Sequence, residues 1–259
     1  MVNIRLIQGD CIQEMQKLIQ EDVKVDLILT DLPFGVTDNK WDNIISFEDM
    51  WGCVKDIIYE RTPILFFGTQ PFTSKLVCSN LDWFRYEWIY HKRAGSNFGV
   101  CKYQPMKEHE EILVFGKKSP NYYPIKEARR GSGGQRIKYK FNTPTHPSDN
   151  YNNGKLYLHP PSNIDELRYP GTVRYYNNRS KGNVGSHPNQ KPVELLEYLI
   201  RTYTNENDTV LDFTMGSGST GVACRNTNRS FIGIELDNEY YDIACERIQS
   251  SYQSKLKGV

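Results

Sequence analysis

The sequence lacks a long apolar run. No stretch approaches the roughly 18 apolar residues of a membrane-spanning helix. Arg5 and Asp10 interrupt the first ten residues, so no signal-peptide core is expected there. The six cysteines are scattered and include no C-x-x-C pair, so neither a disulfide framework nor a metal site is predicted. Reduced thiols and the missing membrane segment favour a protein of the cytoplasm.

The composition also lacks the polar bias of a disordered chain. Hydrophobic residues make up 38% of the sequence and charged residues 24%, which is the balance of an ordinary globular protein. A chain of 259 residues buries roughly three quarters of its unfolded surface without help from disulfides or metals. One large domain, or one domain with a sizeable insertion, is therefore predicted.

The net charge of +1 conceals an asymmetry along the chain. Residues 117–181 carry thirteen Lys/Arg and four Asp/Glu, whereas the remainder carries 19 and 27. Nine tyrosines and phenylalanines lie in the same segment. A basic segment with interleaved aromatics is typical of a polyanion-binding region, although its composition also fits a solvated insertion. The basic candidates for binding phosphates are Arg129, Arg130, Arg136, Lys138 and Lys140.

Short apolar strands alternate with helical patterns on both sides of that segment, which favours an α/β sheet. The predicted strands are residues 3–7, 25–30, 63–67, 83–91, 111–115, 209–213 and 231–236. The predicted helices are residues 11–20 and 47–59, with further helices that begin near 192, 219 and 238.

A glycine-rich loop follows the strand at 209–213. Gly216, Gly218 and Gly221 form G-x-G-x-x-G between that strand and a helix, and Glu235 ends the next strand. Glycines allow a tight turn and a close ligand approach, and a distal carboxylate can bind ribose hydroxyls. The pattern predicts a nucleotide-type ligand but does not choose between a dinucleotide and S-adenosylmethionine. A P-loop is not expected, because no Gly-Lys-Ser/Thr follows.

A second motif, Asp31-Leu32-Pro33-Phe34, ends the apolar strand at 25–30. Its plain interpretation is a proline-stabilised strand exit. The set also suits an exocyclic amine on a flat ring: Asp31 and the Leu32 carbonyl can accept both amine protons. Phe34 can stack on the ring face. These hydrogen bonds strengthen as positive charge develops on the nitrogen, which favours a reaction in which the amine acts as a nucleophile.

The two motifs together resemble those of the amino DNA methyltransferases. DLPF is similar to the family's D-P-P-Y/F catalytic motif and FTMGSG to its F-x-G-x-G cofactor loop. The order of catalytic motif, basic region and cofactor loop resembles the β-group of this family. GDC (9–11), FFGTQPF (66–72), HEEILVFGK (109–117) and HPNQKPVELLEYLI (187–200) also agree. Leu32 and Thr214 depart from the usual proline and phenylalanine.

The resemblance implies a permuted, Rossmann-like methyltransferase fold. A mostly parallel central sheet has helices on both faces, and a basic target-recognition insertion is added. The implied divisions are a catalytic half at 1–117, a target-recognition region at 118–186 and a cofactor-binding half at 187–259. DNA is the implied partner.

The same resemblance implies a site. Asp31, Leu32, Pro33 and Phe34 are the implied catalytic residues. Lys191 is a candidate for the methionine carboxylate of the cofactor, with a solvated helix-start lysine as the equal alternative. Tyr90, Lys92 and the stretch Lys40-Trp41-Asp42 could border the base pocket, although ordinary structural roles are favoured for all of them. The implied cofactor-binding residues are Asp10, Cys11, Asp31, Lys191, Phe213, Gly216, Ser217, Gly218, Thr220, Glu235 and Leu236.

The predicted activity is transfer of a methyl group from S-adenosylmethionine to the N6 amine of adenine in a specific DNA sequence, by base flipping. Asp at position 31 favours adenine by resemblance, and N4-cytosine methylation is the alternative. An NAD-dependent oxidoreductase would leave DLPF and the basic segment unexplained, and a DNA-binding protein without catalysis remains a third reading. Cytosine-C5 chemistry is disfavoured because no cysteine follows a proline. A cognate restriction endonuclease and a homodimer are the further partners considered, in a bacterial or phage-infected host cell.

Overall fold

The computed structural model describes residues 2–35, 44–128, 167–177 and 190–256. The strands are β1 Ile4–Gln8, β2 Leu27–Asp31, β3 Ile64–Gly68, β4 Phe84–Ser96, β5 Lys107–Phe115, β6 Glu127–Ala128, β7 Leu167–Arg168, β8 Val173–Tyr175, β9 Thr209–Asp212 and β10 Ser230–Glu235. The helices are α1 Cys11–Gln20, α2 Phe47–Ile57, α3 Phe72–Ser79, α4 Val193–Tyr203, α5 Ser219–Asn226 and α6 Asn238–Leu256.

Eight strands form one sheet in the order β1-β10-β9-β2-β3-β5-β4-β8. The first five strands in this order are parallel to one another. Strand β5 runs antiparallel to both β3 and β4, and β8 pairs parallel with β4. From β2 the chain proceeds to β3 on one side, and from β9 it proceeds to β10 on the other. The ends of β2 and β9 therefore meet at a topological switch point, where ligands bind in open α/β sheets.

Helices cover both faces of the sheet, so its central strands are apolar on both sides. Successive residues of a strand alternate between the faces: Ile28 belongs to the same apolar cluster as Met15 of α1, whereas Leu27 and Leu29 belong to the cluster that contains Leu199 of α4. Helices α1, α2 and α3 build one apolar cluster, and α4, α5 and α6 build the other. This arrangement explains why the strands read as continuous apolar runs rather than as an alternating pattern.

The main differences from the predicted elements lie around the β4–β5 hairpin. Helix α3 was not predicted, because its eight residues bury few apolar side chains, among them Phe72 and Leu76. Strands β4 and β5 extend to Ser96 and Lys107, well beyond their apolar parts. The extensions pair with each other outside the apolar core, so hydrophobic patterning does not reveal them. Helix α2 ends at Ile57, two residues before the predicted end.

The chain divides into two compact units, one of residues 1–123 and 172–259 and one of residues 124–171. In the second unit, β6 pairs antiparallel with β7, Arg168 lies 3.3 Å from Glu127, and Lys126 stacks over the ring of Tyr169. The unit boundaries fall inside the predicted target-recognition region of 118–186, since β8 belongs to the main sheet. No helix within the described ranges is long and apolar enough to cross a membrane.

Candidate active site

A cavity of about 720 Å³ opens at the carboxyl ends of the parallel strands, in the larger unit. Asp31 at the end of β2, Asp212 at the end of β9 and Glu235 at the end of β10 all line it. It is therefore located at the switch point of the sheet, where the fold positions a ligand. Every predicted catalytic residue lines this cavity, and so does every predicted cofactor-binding residue except Gly218.

Asp31 is the central carboxylate of the cavity. Its Oδ2 pairs with the Nζ of Lys191, although the two residues are 160 positions apart. Its Oδ1 is buried and accepts no hydrogen bond from the residues that the structure describes. An acceptor without a donor is costly when buried, so Oδ1 is available to a donor of a bound ligand.

Lys191 belongs to a buried cluster of alternating charges. Its side chain is only 10% exposed, and its Nζ lies 3.3 Å from Glu110 Oε2 and over the ring of Phe67. Glu110 in turn lies 2.5 Å from the Nζ of Lys92. The alternative of a solvated Lys191 is therefore wrong. The ammonium contacts Asp31 directly, and contact with a cofactor carboxylate stays a prediction.

This cluster controls the protonation of its carboxylates. Burial raises the pKa of Asp31, while the Lys191 ammonium lowers it and the Glu110 charge raises it further. For Glu110, the Lys191 and Lys92 ammoniums outweigh burial, so its pKa lies below the usual value. The two carboxylates raise the pKa of Lys191, which stays protonated. Lys191 thus opposes the tendency of the buried Asp31 to take up a proton.

The remaining residues of the DLPF motif hold this turn against the core. The Leu32 side chain is buried in the same cluster as α1 and α2, which explains how leucine is accommodated where the family has proline. Pro33 and Phe34 line the cavity, and the Phe34 ring packs 5.0 Å from the ring of Phe72. Helix α3, which sequence patterning missed, therefore supports the aromatic ring of the motif.

Threonines tie the DLPF turn to the cofactor loop. Thr214 Oγ1 donates to the backbone carbonyl of Asp31 at 3.0 Å, and Thr30 Oγ1 donates to Asp212 Oδ1 at 2.7 Å. Thr214 N also donates to Asp212, at 3.3 Å. Burial raises the pKa of Asp212 to about 6, against hydrogen bonds that include one with Thr220. Thr214, which replaces the family's phenylalanine, thus has a bonding role between the two motifs.

The glycine loop combines a left-handed turn with close packing. Gly216 has φ +50° and Gly218 has φ +78°, values that side chains rarely tolerate. A Cβ on Gly216 would meet nothing within 4 Å, so this glycine faces open space. A Cβ on Gly218 would lie 2.8 Å from the Cβ of Ala244 in α6. The first glycine therefore leaves room beside the cavity, whereas Gly218 allows a helix to pack.

Glu235 fastens the glycine loop to the end of β10. Its Oε2 accepts a hydrogen bond from Gly216 N at 2.8 Å, and its Oε1 accepts one from Asp237 N at 2.9 Å. Burial nevertheless raises its pKa above the usual value. Glu235 is a structural anchor of the loop, and the cavity reaches the same residue.

The other predicted cofactor-binding residues line the cavity together with the glycine loop and Glu235. Asp10 caps α1, since its Oδ1 accepts hydrogen bonds from Ile12 N at 3.1 Å and Gln13 N at 3.0 Å. Cys11 is buried, and burial raises the pKa of its thiol to about 12. The cavity is also lined by buried Phe213, by Ser217 and Thr220, and by exposed Leu236.

Sequence reasoning missed two residues that organise the site. Glu110 joins Lys191 and Lys92 but has no motif of its own, although it stands in the stretch 109–117 that resembles the family. Arg247 of α6 donates to the Ser217 hydroxyl at 2.8 Å and to the Ser217 carbonyl. Of the weaker candidates, Lys92 lines the cavity, whereas Tyr90 is buried. The candidates Lys40, Trp41 and Asp42 lie outside the described residues, and so do the five predicted phosphate-binding residues (Arg129, Arg130, Arg136, Lys138 and Lys140).

Comparison with known proteins adds independent findings. A family model described as "DNA methylase" matches residues 25–246. The chain is 30% identical to the Type II methyltransferase M.HpaI of Haemophilus parainfluenzae, over 96% of this chain and 75% of that protein. It is 29% identical to the DNA adenine methyltransferase YhdJ of Escherichia coli, over 94% and 82%.

Solved structures of similar fold cover nearly the whole chain. The M1.HpyAVI–SAM complex matches with a TM-score of 0.65 at 23% identity, over 95% of this chain and 98% of that one. The cytosine-N4-specific PvuII DNA methyltransferase matches with a TM-score of 0.65 at 15% identity, over 99% and 94%. These likenesses confirm the predicted fold class.

Proposed function

The chain belongs to the DNA methylase family, and on this premise we propose that it transfers a methyl group from S-adenosylmethionine to the N6 amine of adenine in DNA. The observation that carries the proposal is the unsatisfied Oδ1 of Asp31, an acceptor beside Phe34 in a cavity at the switch point of the sheet. The family assignment made from the two motifs is confirmed.

The residues of the DLPF turn have separate roles in binding the target amine and its ring. Asp31 Oδ1 and the Leu32 carbonyl accept the two amine protons, so the nitrogen lone pair no longer delocalises into the ring. Phe34 stacks on the base, a contact worth about 1–3 kcal/mol. Lys191 favours the ionised form of Asp31 against the effect of burial, and it fixes the other carboxylate oxygen. Asp31 acts as a hydrogen-bond acceptor, and water can remove the proton after transfer.

The chain fits the proposed cofactor. Gly216 leaves open space, and Glu235 presents a carboxylate at the end of β10. Asp10, Cys11 and Leu236 would border the adenine, and Ser217, Gly218 and Thr220 would border the methionine part. When bound, S-adenosylmethionine supplies a methyl group on a positively charged sulfur. The cavity extends from Asp10 past Asp31, which supports binding of a cofactor and a flipped base in one space.

Adenine as the target is supported by a relative's name and by residue 31. YhdJ, which aligns over 94% of this chain, is named a DNA adenine methyltransferase. The aspartate at position 31 agrees with adenine by the family resemblance. The likeness to the cytosine-N4-specific PvuII enzyme concerns the fold alone.

The remaining parts of the proposal concern context. The name of M.HpaI, a Type II methyltransferase, supports a role beside a cognate restriction endonuclease. The six cysteines are free thiols, which supports the cytoplasm of a bacterial or phage-infected cell. A homodimer stays a prediction, as does DNA binding by the basic segment.

A methyl-transfer assay tests the proposal. The protein is incubated with DNA and labelled S-adenosylmethionine, and the DNA is digested to nucleosides. Label is expected in 6-methyladenine, whereas label in 4-methylcytosine would make the base assignment wrong. Asp31→Ala should abolish transfer while cofactor binding by calorimetry persists. Asp56→Ala, which removes an exposed carboxylate outside the cavity, is the matched control; full activity in Asp31→Ala would overturn the mechanism.

A further inference from the structure

The tip of the β4–β5 hairpin presents apolar side chains to solvent. Phe98 is 79% exposed and Tyr103 is 90% exposed, and Val100 and Met106 are also exposed. Large aromatic rings in water are unfavourable in a soluble protein and mark an interaction surface when they cluster. We call residues 97–106 the hairpin tip.

The hairpin tip has a defined backbone despite this exposure. Asn97 adopts a left-handed conformation with φ +70°, and a 3-10 helix follows at Phe98–Val100. Tyr103 N donates to the Val100 carbonyl at 2.9 Å. Below the tip, Ser96 pairs with Lys107, and the Ser96 hydroxyl donates to the Lys107 carbonyl at 3.0 Å. The rings are thus displayed by an ordered turn whose base is held by the two strands.

The base of the tip reaches the active-site cavity. Ser96, Asn97 and Lys107 line the same cavity as Asp31 and Phe34. Strands β4 and β5 also supply Lys92 and Glu110 to the charge cluster around Asp31. The exposed rings are therefore carried by a hairpin that forms part of the wall where the target base is proposed to bind.

The charge of the hairpin end selects the kind of partner. Residues 93–107 contain Arg93, Lys102 and Lys107 and no acidic residue. Basic residues interleaved with exposed aromatics match a polyanion whose rings stack, which describes nucleic acid. The aromatic rings would also suit a protein partner, but the exclusively positive charge around them favours a polyanion.

From this placement we propose that the hairpin tip contacts the DNA duplex, and that Phe98 and Tyr103 stack on the bases exposed when the target leaves the helix. This inference rests on the proposed function and adds a DNA-contacting element outside the predicted target-recognition region of 118–186. Flipping a base costs unstacking energy, and inserted side chains restore part of that stacking in proteins that deform DNA. The rings therefore favour the flipped state without touching the reacting atoms.

The test compares substrates that differ in the need for flipping. The Phe98→Ala/Tyr103→Ala variant is assayed on a duplex with the target site and on the same strand alone. We expect a roughly ten- to hundredfold slower rate than the parent on the duplex and an unchanged rate on the single strand, where the base is already unstacked. 2-Aminopurine at the target position should also show a smaller fluorescence rise on binding to the variant.

Control variants separate this role from general effects. Tyr59→Ala removes an exposed ring that does not line the cavity and should behave as the parent. Lys102→Gln, which keeps both rings, should reduce the slope of log affinity against log salt by about 0.9 on duplex DNA. Cofactor affinity should be unchanged in all variants.

Several outcomes would overturn the inference. Equal duplex rates in the parent and the double variant would exclude a role in flipping. An equal loss on both substrates would assign the rings to the chemistry or the fold instead. Unchanged duplex activity with lost self-association in sedimentation would assign the tip to a second copy of the chain. If the parent methylates no DNA at all, the proposed function fails first, and that result is separate from these.

Discussion

Replacing Lys191 with methionine removes the ammonium that contacts both Asp31 and Glu110. Methionine has a similar length and no charge, so the change isolates the electrostatic contribution. Two carboxylates then remain in a buried site, with Lys92 as the neighbour of Glu110. We expect the variant to be less stable and to lose activity at neutral pH.

The size of the stability loss follows from burial. Breaking a buried ion pair by removing one partner costs about 3–5 kcal/mol. The Asp31 side chain is 30% exposed, and Glu110 keeps Lys92, so the lower end is expected. In a protein of this size, about 3 kcal/mol lowers the melting temperature by roughly 6–12 °C.

The pH dependence has a defined sign. Lys191 lowers the pKa of Asp31 against burial, so its removal raises that pKa further. An acid whose pKa is raised in the folded state binds more protons than in the unfolded state, and stability then falls as pH rises above its unfolded value. The loss of melting temperature should therefore be larger at pH 8 than at pH 5. The acid limb of the methylation rate should move to higher pH, because a protonated Asp31 accepts fewer hydrogen bonds.

The measurement is thermal unfolding at both pH values, with Lys17→Met as the control. Lys17 is 61% exposed and pairs with Glu14 on the surface of α1, so its loss should cost about 0.2–1 kcal/mol. If Lys191→Met loses no more than Lys17→Met, or shows no pH dependence, the buried charge cluster does not act as described.

Three further predictions concern the loop and the DNA. Gly221→Ala places a Cβ 2.4 Å from Ile248 Cδ1 and should lower the free energy of unfolding in urea by about 1–3 kcal/mol. The control is Gly52→Ala in α2, where a Cβ would meet nothing within 4 Å, and it should raise the free energy of unfolding by about 0.5–1 kcal/mol. Equal effects of the two substitutions would contradict the packing of α5 on α6. Glu235→Ala should weaken the binding of S-adenosylmethionine, measured by calorimetry, by about 1.5–3 kcal/mol, and Glu239→Ala at an exposed position is the control. Unchanged affinity in the folded variant would show that Glu235 does not bind the cofactor. Neutralising Arg129, Arg130, Arg136, Lys138 and Lys140 together should reduce the slope of log DNA affinity against log salt by about 0.9 for each lost phosphate contact. Cofactor affinity should not change. An identical slope in the variant and the parent would show that the DNA binds elsewhere on the protein.

Local patterns in the sequence predicted most elements of the fold. The apolar runs at β2, β3, β9 and β10 are long enough to indicate strands that are covered on both faces. Spacing of apolar residues indicated α1, and its observed bounds agree with the prediction. Helix α3 and the outer parts of β4 and β5 carry weaker patterns, because few of their side chains enter the core.

The two motifs likewise depend on neighbours in sequence. A glycine loop needs its glycines within a few residues of one another, and DLPF is a single turn. Their chemistry, and with it the family, could therefore be predicted before the fold was known. The two motifs meet in the fold because β2 and β9 are neighbouring parallel strands, whose carboxyl ends share one edge of the sheet.

Only the tertiary structure decided which charges surround Asp31. Lys191 is 160 positions away from Asp31 in the chain, and Glu110 lies on β5 beyond β3 in the sheet. Whether a lysine is solvated or paired depends on its burial and on the strand order, and neither is encoded by the residues beside it. The same holds for Arg247 on the glycine loop and for the exposed rings of the hairpin tip, because contact and exposure are properties of the packed chain.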